Sequence, residues 1–477
     1  MKWQRKKFLV LMIALALLAA ACSTDDGTTE STGATEPTSG ATEPTSSLIE
    51  DPENARRYEG VELTLMTYAS TTEFDYYATL MDDFTRETGI KVNYVQQPVA
   101  AQDQKIPLLL AAKDPSLDVF FTGSENIGSY VGVSGVLPLD SFISDSNLTP
   151  ESWDFADLAP AILNACQNGG VTYCIPSHAG GGLLYYNTRM FEEAGITAPP
   201  KNPDELLDYA KRLTTDEHAG FCVRGDNTQN LYTAFQLWQW FYPYDNDVTG
   251  TYFDKDWNFI IGQQPNANEF GSWYREILQK TAPAGIATYL VTNCLEDFQQ
   301  GRVAMWHDDS GMIPEVLDPK KSRVSEETAF WSLPCQAVNP DNCTLVQPFG
   351  TWINAASENP EAAWLLVQFL TSKETQNAAA IDGSLLTPSR VSVVNNPEVV
   401  ASLPATFAEA LDHILAHPDA ALLPFIPEGV AILPPMLNGL SELITSGDSV
   451  DEVMARMTAG VEEIMKAAGY PKPFPEG

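Results

Sequence analysis

The strongest constraint on the fold of this chain is an alternation of strand-like and helix-like segments that begins at Val61. VELTLMTY is typical of a β-strand, TLMDDFTRETG of an amphipathic helix that ends at Gly89, and IKVNYV of a second strand. IPLLLAA then continues as a helix and LDVFFTG as a buried strand. This order predicts an α/β architecture with helices flanking sheets. Because the region exceeds 400 residues, which is too long for one compact core, we expect two lobes.

The N-terminus, MKWQRKKFLVLMIALALLAAAC, has the pattern of a secretory signal. Basic residues precede an apolar run from Phe8 to Leu18 that is too short to span a bilayer. We therefore expect residues 1–21 to be a signal peptide and the remainder to be exported. The ending AAAC resembles the lipobox of bacterial lipoproteins, which implies that Cys22 is lipidated and anchors the protein to the outer face of the cell membrane. Ordinary cleavage is the alternative, because Ala19 stands where the commonest lipobox has Leu.

Residues 22–58 are rich in Ser, Thr, Glu, Pro and Gly, and GATEPTS occurs twice in tandem. Such a composition cannot bury apolar surface, so we expect a disordered stalk behind the lipidated cysteine. The chain has 27 Lys and Arg against 63 Asp and Glu, a net charge of −36. A field of this sign repels phosphate backbones, so nucleic acid is not an expected partner. The first interpretation is that these acids form a solvated surface that keeps the protein soluble. The alternative is that they attract a cationic ligand.

Seven cysteines occur in the chain. Apart from Cys22 they are Cys166, Cys174, Cys222, Cys294, Cys335 and Cys343. An even number in an exported protein predicts disulfides, because the compartment outside the membrane is oxidising. CQNGGVTYC and CQAVNPDNC enclose turn-forming residues, so each is expected to form a hairpin that a disulfide holds together. By elimination, Cys222 is then expected to pair with Cys294. Zinc is the alternative, but the spacing is not CxxC and few His lie nearby.

Five further segments of the chain are informative when they are considered together. They are FTRETGIKV at 84–92, DVFFTGSENIGSYVGVSGVLPLD at 118–140, LLYYNTRMFEEAGITAPPKNPDELLDYAKRLT at 183–214, FQQGRVAM at 298–305 and INAASENPEAAWLLVQFLTSKETQ at 353–376. Together they resemble the extracellular solute-binding proteins of the sugar class, whose best-known relative is maltose-binding protein. The resemblance extends over nearly the whole chain from Val61.

The resemblance implies a two-lobed, periplasmic-binding-protein-like α/β fold of type II, with three crossings of the chain and a ligand cleft between the lobes. Lobe one would comprise residues 59–177 and 350–372, and lobe two residues 181–348 and 376–477. The run Gly180-Gly181-Gly182 supports the first crossing, because three glycines suit a place where backbone dihedrals change or a ligand approaches closely.

The function that the resemblance implies is that of the substrate-binding lipoprotein of an ABC importer. It would capture a sugar or short oligosaccharide by cleft closure and deliver it to the membrane permease, as a monomer, without cofactor, metal or catalytic residue. A binding protein for a polyamine or another cationic solute is the alternative. A secreted hydrolase is a weaker one: HAGGG at 178–182 is similar to an esterase oxyanion loop, but no GxSxG supplies a nucleophile.

Sugar clefts combine planar hydrogen-bonding groups with aromatic rings that pack on the C–H face of the ligand. In lobe two, FQLWQWFYPYDND at 235–247 offers Trp238, Tyr242 and Tyr244, although Trp238 and Tyr242 are spaced as an aromatic core stripe would be. MWHDDSG at 305–311 offers Trp306 and Asp308 at a strand end. Asp308 and Asp309 are adjacent on that strand and point to opposite faces, which disfavours a glycosidase pair.

In lobe one, the loops after two strands supply polar side chains. The expected contacts are Tyr68, Thr71, Thr72, Glu73, Glu125 and Asn126. In the resembled family these loops hold sugar hydroxyls. Phe349 stands where many relatives have a stacking Trp, and Leu433 stands where maltose-binding protein has one. These departures argue against maltodextrin as the ligand.

Overall fold

Strands and helices alternate along the chain, as the sequence pattern predicts. The computed structural model describes residues 55–69, 71–241, 252–254, 256–332, 346–416 and 426–471. The strands are β1 (Glu62–Tyr68), β2 (Lys91–Gln97), β3 (Val119–Gly123), β4 (Gln167–Asn168), β5 (Val171–Thr172), β6 (Cys174–Asn187), β7 (Ala219–Cys222), β8 (Val303–Asp309), β9 (Thr328–Ser332) and β10 (Val346–Ile353).

The helices before β9 are α1 (Thr72–Thr88), α2 (Val99–Ala112), α3 (Ile127–Gly132), α4 (Asp140–Ser144), α5 (Pro160–Asn164), α6 (Thr188–Glu193), α7 (Pro203–Leu213), α8 (Asn230–Gln239), α9 (Asn266–Thr281), α10 (Val291–Gln299) and α11 (Ile313–Leu317). The later ones are α12 (Pro360–Leu370), α13 (Lys373–Asp382), α14 (Val391–Val394), α15 (Pro397–Ser402), α16 (Ala405–Ala416), α17 (Leu433–Thr445) and α18 (Val450–Ala467). Helix α1 ends as expected, because Gly89 adopts the left-handed conformation with φ 74°. Among the described residues, none of these helices has both the length and the apolar character needed to cross a membrane.

Eight of the described strands form one mixed sheet in the order β2-β1-β3-β10-β6-β8-β7, with β9 also paired to β6, and β4 and β5 form a separate two-stranded sheet. Strand β1 runs parallel to β2 and β3, and β7 runs parallel to β8. Strand β6 is shared between the two ends of the sheet. Its residues 174–181 pair with β10, whereas residues 182–187 pair with β8 and β9. The chain therefore passes from one part of the sheet to the other along β6.

The buried apolar side chains form a core on each part of the sheet. The first core packs α1 and α12 on β1 and β3, through side chains such as Leu65, Phe84, Phe121, Trp364 and Phe369. The second core packs α8, α9, α17 and α18 around β7 and β8, through side chains such as Phe221, Phe270, Met305, Leu440 and Met454. Ala379 and Leu385, which follow α12 in the chain, also pack in the first core.

The glycine run lies inside β6 and not in an irregular loop. An added Cβ on Gly180 would collide with the Asp309 carboxylate, and one on Gly182 would collide with the Gln236 amide. These glycines therefore allow neighbouring side chains to approach the backbone closely, within an extended strand.

Three segments of the chain are tied together where β6 meets β10. The hydroxyls of Ser177 on β6 and Thr351 on β10 lie 2.7 Å apart. The Gln376 amide donates to the Ser177 carbonyl at 3.0 Å and to Ser389 Oγ at 2.9 Å. Ser389 Oγ in turn donates to the Pro176 carbonyl at 2.6 Å. All of these side chains are buried, so the network joins β6, β10 and the segment after α12 in one place.

Two of the three expected disulfides are confirmed. Cys166 pairs with Cys174 across the β4–β5 hairpin, with Cα atoms 5.0 Å apart, and Cys222 pairs with Cys294 at 5.9 Å. The third expected pair, Cys335 with Cys343, lies outside the described residues and stays a prediction.

Candidate functional site

A cavity of about 240 Å³ lies between the first and second cores. Four strands point their carboxyl ends at it: Tyr68 ends β1, Glu125 follows β3, Arg224 follows β7 and Asp309 ends β8. Ligand sites of open α/β sheets form at this position, because the loops after the strands diverge and leave a crevice. The cavity is therefore the candidate binding site.

The wall from the first core contains most of the contacts expected in lobe one. Those on the cavity wall are Tyr68, Thr71, Glu73, Glu125, Asn126 and Phe349. The rings of Phe121 and Phe349 stack with centroids 5.6 Å apart and planes 6° apart. The Tyr68 hydroxyl donates to the Asp103 carboxylate at 3.1 Å. This wall thus offers apolar ring surface beside oxygen acceptors, the combination that a polyhydroxy ligand requires.

Glu73 and His178 form a buried pair on this wall. His178 Nδ1 lies 2.8 Å from Glu73 Oε2, and each side chain is 10% exposed. Burial disfavours the charged imidazole, but the Glu73 carboxylate, and behind it Asp309, outweigh that effect and raise the pKa of His178 above its ordinary value. The imidazole is therefore placed to compensate the charge of Glu73 when it is protonated.

The wall from the second core is built around Arg224. Its guanidinium donates to both carboxylate oxygens of Asp308, at distances from 2.5 to 3.1 Å. It also lies over the Tyr232 ring, 4.3 Å from the centroid. Burial opposes the charge of Arg224, but the coulombic and hydrogen-bond contributions of Asp308 exceed that effect, and the pKa of Arg224 is raised. Arg224 and the ring of Tyr232 therefore present a fixed cation–π pair to the cavity.

Asp309 lines the cavity beside this pair. Its carboxylate accepts a hydrogen bond from the Gly311 amide at 2.7 Å, at the start of the short 3-10 turn Ser310–Met312. Burial raises the pKa of Asp309 to about 6, and the Gly311 amide and His178 only partly oppose this. Asp309 forms no ion pair within the described residues.

The other expected contacts lie elsewhere. Asp308 sits behind Arg224 and not on the cavity wall. Trp238 stacks on Phe270 at 4.6 Å, and Trp306 stacks on Tyr185 at 4.7 Å, both in the second core. These two rings are therefore core residues, because their apolar area is consumed in packing. Tyr242 and Tyr244 lie outside the described residues.

Several charged or aromatic side chains on the cavity wall were not expected from the sequence. They include Asp103, His178, Arg224, Tyr232 and Asp309. The positions of Arg224 and Asp309 could have been predicted, because each residue lies at or just after the carboxyl end of a strand, where ligand contacts are expected. No sequence pattern predicts that Asp103 and Tyr232 line the cavity, because both lie on helices whose orientation depends on tertiary packing. Leu433, at the position of a stacking Trp in maltose-binding protein, does line the cavity.

Contacts outside the cavity join the two sides of the cleft. Thr72, which is not on the cavity wall, donates from Oγ1 to Glu315 Oε1 at 2.5 Å, and Lys321 pairs with Glu315 Oε2 at 2.7 Å. At a second place Ser129 Oγ donates to the Pro427 carbonyl at 3.3 Å. Gly128 is in close contact with the Ile426 backbone, where a Cβ would not fit. The two sides of the cavity are therefore in direct contact at two places.

Comparison with known proteins agrees with this architecture. The family model described as bacterial extracellular solute-binding protein matches residues 68–377. The erythritol/L-threitol-binding protein of Mycolicibacterium smegmatis is 27% identical over 335 residues, which are 66% of this chain and 68% of that protein.

Two solved structures share the fold. An ABC transporter solute-binding protein of Agrobacterium vitis with bound D-mannitol has a TM-score of 0.75 at 24% identity, over 86% of this chain and 100% of that one. A maltose-bound protein of T. maritima has a TM-score of 0.74 at 19% identity, over 85% and 100%. The fold is the two-lobed type II fold, and this chain belongs to the family of bacterial extracellular solute-binding proteins.

Proposed function

We propose that this protein is the substrate-binding component of an ABC importer and that it captures a sugar or a polyol in the cavity between its lobes. The observation that carries the proposal is the composition of the two cavity walls. Tyr68, Phe349 and Tyr232 supply ring surface, while carboxylates supply hydrogen-bond acceptors for hydroxyl groups. The buried hydroxyl of Thr71, on the same wall, has no hydrogen-bond partner within the described residues.

The cavity size favours a single sugar unit or polyol over a long oligosaccharide. A volume of about 240 Å³ lies just below the usual range of ligand pockets, which begins at about 300 Å³. The relatives that bind erythritol, L-threitol and D-mannitol support the same size of ligand.

We assign residues 59–177 and 350–372 to lobe one, and residues 181–348 and the C-terminal part of the chain to lobe two. The division of β6 between its two sets of partner strands supports the first crossing. Because Ala379 and Leu385 pack in the first core, we place the start of the C-terminal part of lobe two beyond them and not at residue 376. Closure then occurs about β6, β10 and the Gln376–Ser389 segment, which the buried network holds together.

The attachment and delivery steps are also proposals. Cys22 carries the lipid anchor, the stalk before residue 55 holds a monomeric binding domain off the membrane, and a permease receives the ligand. The expected end of the stalk at residue 58 is corrected, because Arg56–Tyr58 forms a 3-10 turn and Tyr58 packs against the first core. In cells, Cys22→Ala is expected to release the protein from the membrane fraction or to block its processing. Membrane association that stays unchanged would contradict the anchor without affecting the binding proposal.

A thermal-shift screen with the domain from residue 55 onward tests the ligand class. The panel contains D-mannitol, erythritol, D-glucose and maltose, with spermidine as the cationic arm. A cognate ligand at about 100 times its dissociation constant is expected to stabilise the fold by about 2.7 kcal/mol. Phe349→Ala serves as the site variant and is expected to abolish the shift. If spermidine alone raises the melting temperature, the protein binds polyamines and the sugar proposal is wrong.

A further inference from the structure

Carboxylates from both walls converge on the cavity. Asp103 and Glu125 both act electrostatically on Tyr68, whereas Asp309 and Glu125 both act on Tyr232. Tyr68 and Tyr232 lie on opposite walls, so the field of these acids extends across the cavity from one lobe to the other. Glu73 is a fourth carboxylate on the wall.

The cations on the wall are already committed to other acids. Arg224 is held by both oxygens of Asp308, and His178 lies against Glu73. No other Lys, Arg or His lines the cavity among the described residues. Asp103 and Asp309 form no ion pair in the part of the chain that the structure describes. The cavity therefore holds an excess of negative charge when it is empty.

Burial makes this excess unfavourable. The surrounding protein raises the pKa of Asp103 to about 6, although the side chain is open to the cavity, and the pKa of Asp309 is also about 6. Near neutral pH both carboxyl groups are therefore ionised, although their surroundings favour the protonated form. A neutral hydroxyl can donate a hydrogen bond to such a carboxylate, but only a cation removes the excess charge.

We infer that the cognate ligand is a polyhydroxy compound that carries a protonated primary amine, such as an amino sugar or an amino polyol. This inference rests on the proposed function and narrows its ligand class. The ammonium binds at Asp103, which is the most exposed of the four carboxylates and receives from the protein only the Tyr68 hydroxyl among the described hydrogen bonds. The hydroxyl groups then occupy the rest of the cavity, against the aromatic rings and Asp309.

A matched pair of probes tests the inference. D-Sorbitol and 1-amino-1-deoxy-D-sorbitol have the same carbon skeleton and differ by one hydroxyl exchanged for an ammonium. Isothermal titration of the domain at pH 7.5 is expected to give at least tenfold tighter binding of the amine. D-Glucosamine against D-glucose repeats the comparison on a ring, and N-acetyl-D-glucosamine, which has no charge, is expected to bind as weakly as glucose.

Two variants separate a specific contact from a general field effect. Asp103→Asn keeps the size and the hydrogen-bond acceptor but removes the charge, so it is expected to weaken the amine far more than sorbitol and to remove most of the preference for the amine. Asp82→Asn removes the same charge from the exposed face of α1, away from the cavity, and is expected to keep the preference.

The outcomes distinguish this inference from the proposed function. If sorbitol or glucose binds as tightly as its amine, or if Asp103→Asn keeps the preference, the inference is wrong while the sugar-binding function stands. If no sugar, polyol or amino derivative binds, the proposed function fails and the inference with it. If spermidine binds more tightly than every hydroxylated amine, both are wrong.

Discussion

The two walls of the cavity differ in how directly the sequence points to them. On the first wall, Tyr68, Glu73 and Glu125 lie within a few residues of the ends of β1 and β3 and face the cavity. On the second wall, Trp238, Trp306 and Asp308 are turned away, and the cavity is lined instead by Arg224, Tyr232 and Asp309. Proximity to a strand end therefore predicted most of the residues of the first wall, whereas on the second wall it did not decide which side chains of the strand end face the cavity.

Asp308 and Asp309 show the reason within one strand. Successive side chains of β8 point to opposite faces, so only one of the two acids can face the cavity. Asp308 faces Arg224 and Asp309 faces the cavity. The sequence predicts that the two acids diverge, but it does not tell which one faces the ligand.

The largest expected effect on stability comes from breaking the Arg224–Asp308 ion pair of the second wall. Arg224→Met leaves the buried Asp308 carboxylate without a cation and is expected to lower the free energy of unfolding by about 3–5 kcal/mol. Arg189→Met is the control, because Arg189 pairs with Glu193 and Glu327 at the exposed surface, and its expected effect is below about 1 kcal/mol. Urea unfolding measures both. Equal effects would show that Arg224 does not hold this wall together.

A second experiment compares a core ring with a cavity ring. Trp238→Ala is expected to lower the free energy of unfolding by about 3–5 kcal/mol and to leave ligand affinity nearly unchanged, because the ring stacks on Phe270 in the second core. Tyr232→Ala is expected to lower stability by less than half of that amount and to weaken binding more than tenfold, about 1.4 kcal/mol. Reversed phenotypes would place the binding surface on the Trp238 segment.

The buried acid of the second wall provides an intermediate effect with a defined pH dependence. The pKa of Asp309 is raised to about 6, so the folded state binds this proton more tightly than the unfolded chain does. The contribution of Asp309 to the free energy of unfolding is then fully present below pH 4 and is lost as the pH rises through 6. Asp309→Asn is expected to stabilise the empty protein by about 1–3 kcal/mol at pH 7, with little gain at pH 4, and to weaken ligand binding. A stability gain that does not vary between pH 4 and 7 would rule out this origin.

The smallest expected effect concerns the contact that joins the two sides outside the cavity. Thr72→Val removes the hydrogen bond to Glu315 without touching the cavity wall and is expected to weaken ligand affinity two- to fivefold, about 0.5–1 kcal/mol, by disfavouring closure. Thr79→Val is the control, because Thr79 bonds only to the Tyr76 carbonyl on the same helix. Ligand titration and small-angle scattering measure affinity and closure. An affinity equal to that of the control would show that this bond does not contribute to closure.

Much of the fold followed from local patterns. The strands at β1, β2 and β3, the end of α1 at Gly89 and the Cys166–Cys174 hairpin agree with the sequence predictions, because each depends on residues close together in the chain. The Cys222–Cys294 bridge was reached only by elimination, since it joins residues 72 apart. The glycine run was predicted as a place where backbone dihedrals change or a ligand approaches closely, whereas the structure places it inside β6, where the side chains of Asp309 and Gln236 approach the backbone.

What the sequence by itself determined is the alternation of strands and helices, the family, and the strand ends that supply the first wall. Hydrophobic periodicity and turn residues fix the strands and helices locally, and the family follows from the resemblance of five segments to solute-binding proteins. Only the tertiary structure decided that Asp103 on α2 and Tyr232 on α8 meet across one cavity, and that Trp238 and Trp306 do not reach it. The face that a helix turns toward the cleft depends on how its apolar side packs on the sheet. That packing is a property of the whole core, so no short segment carries it.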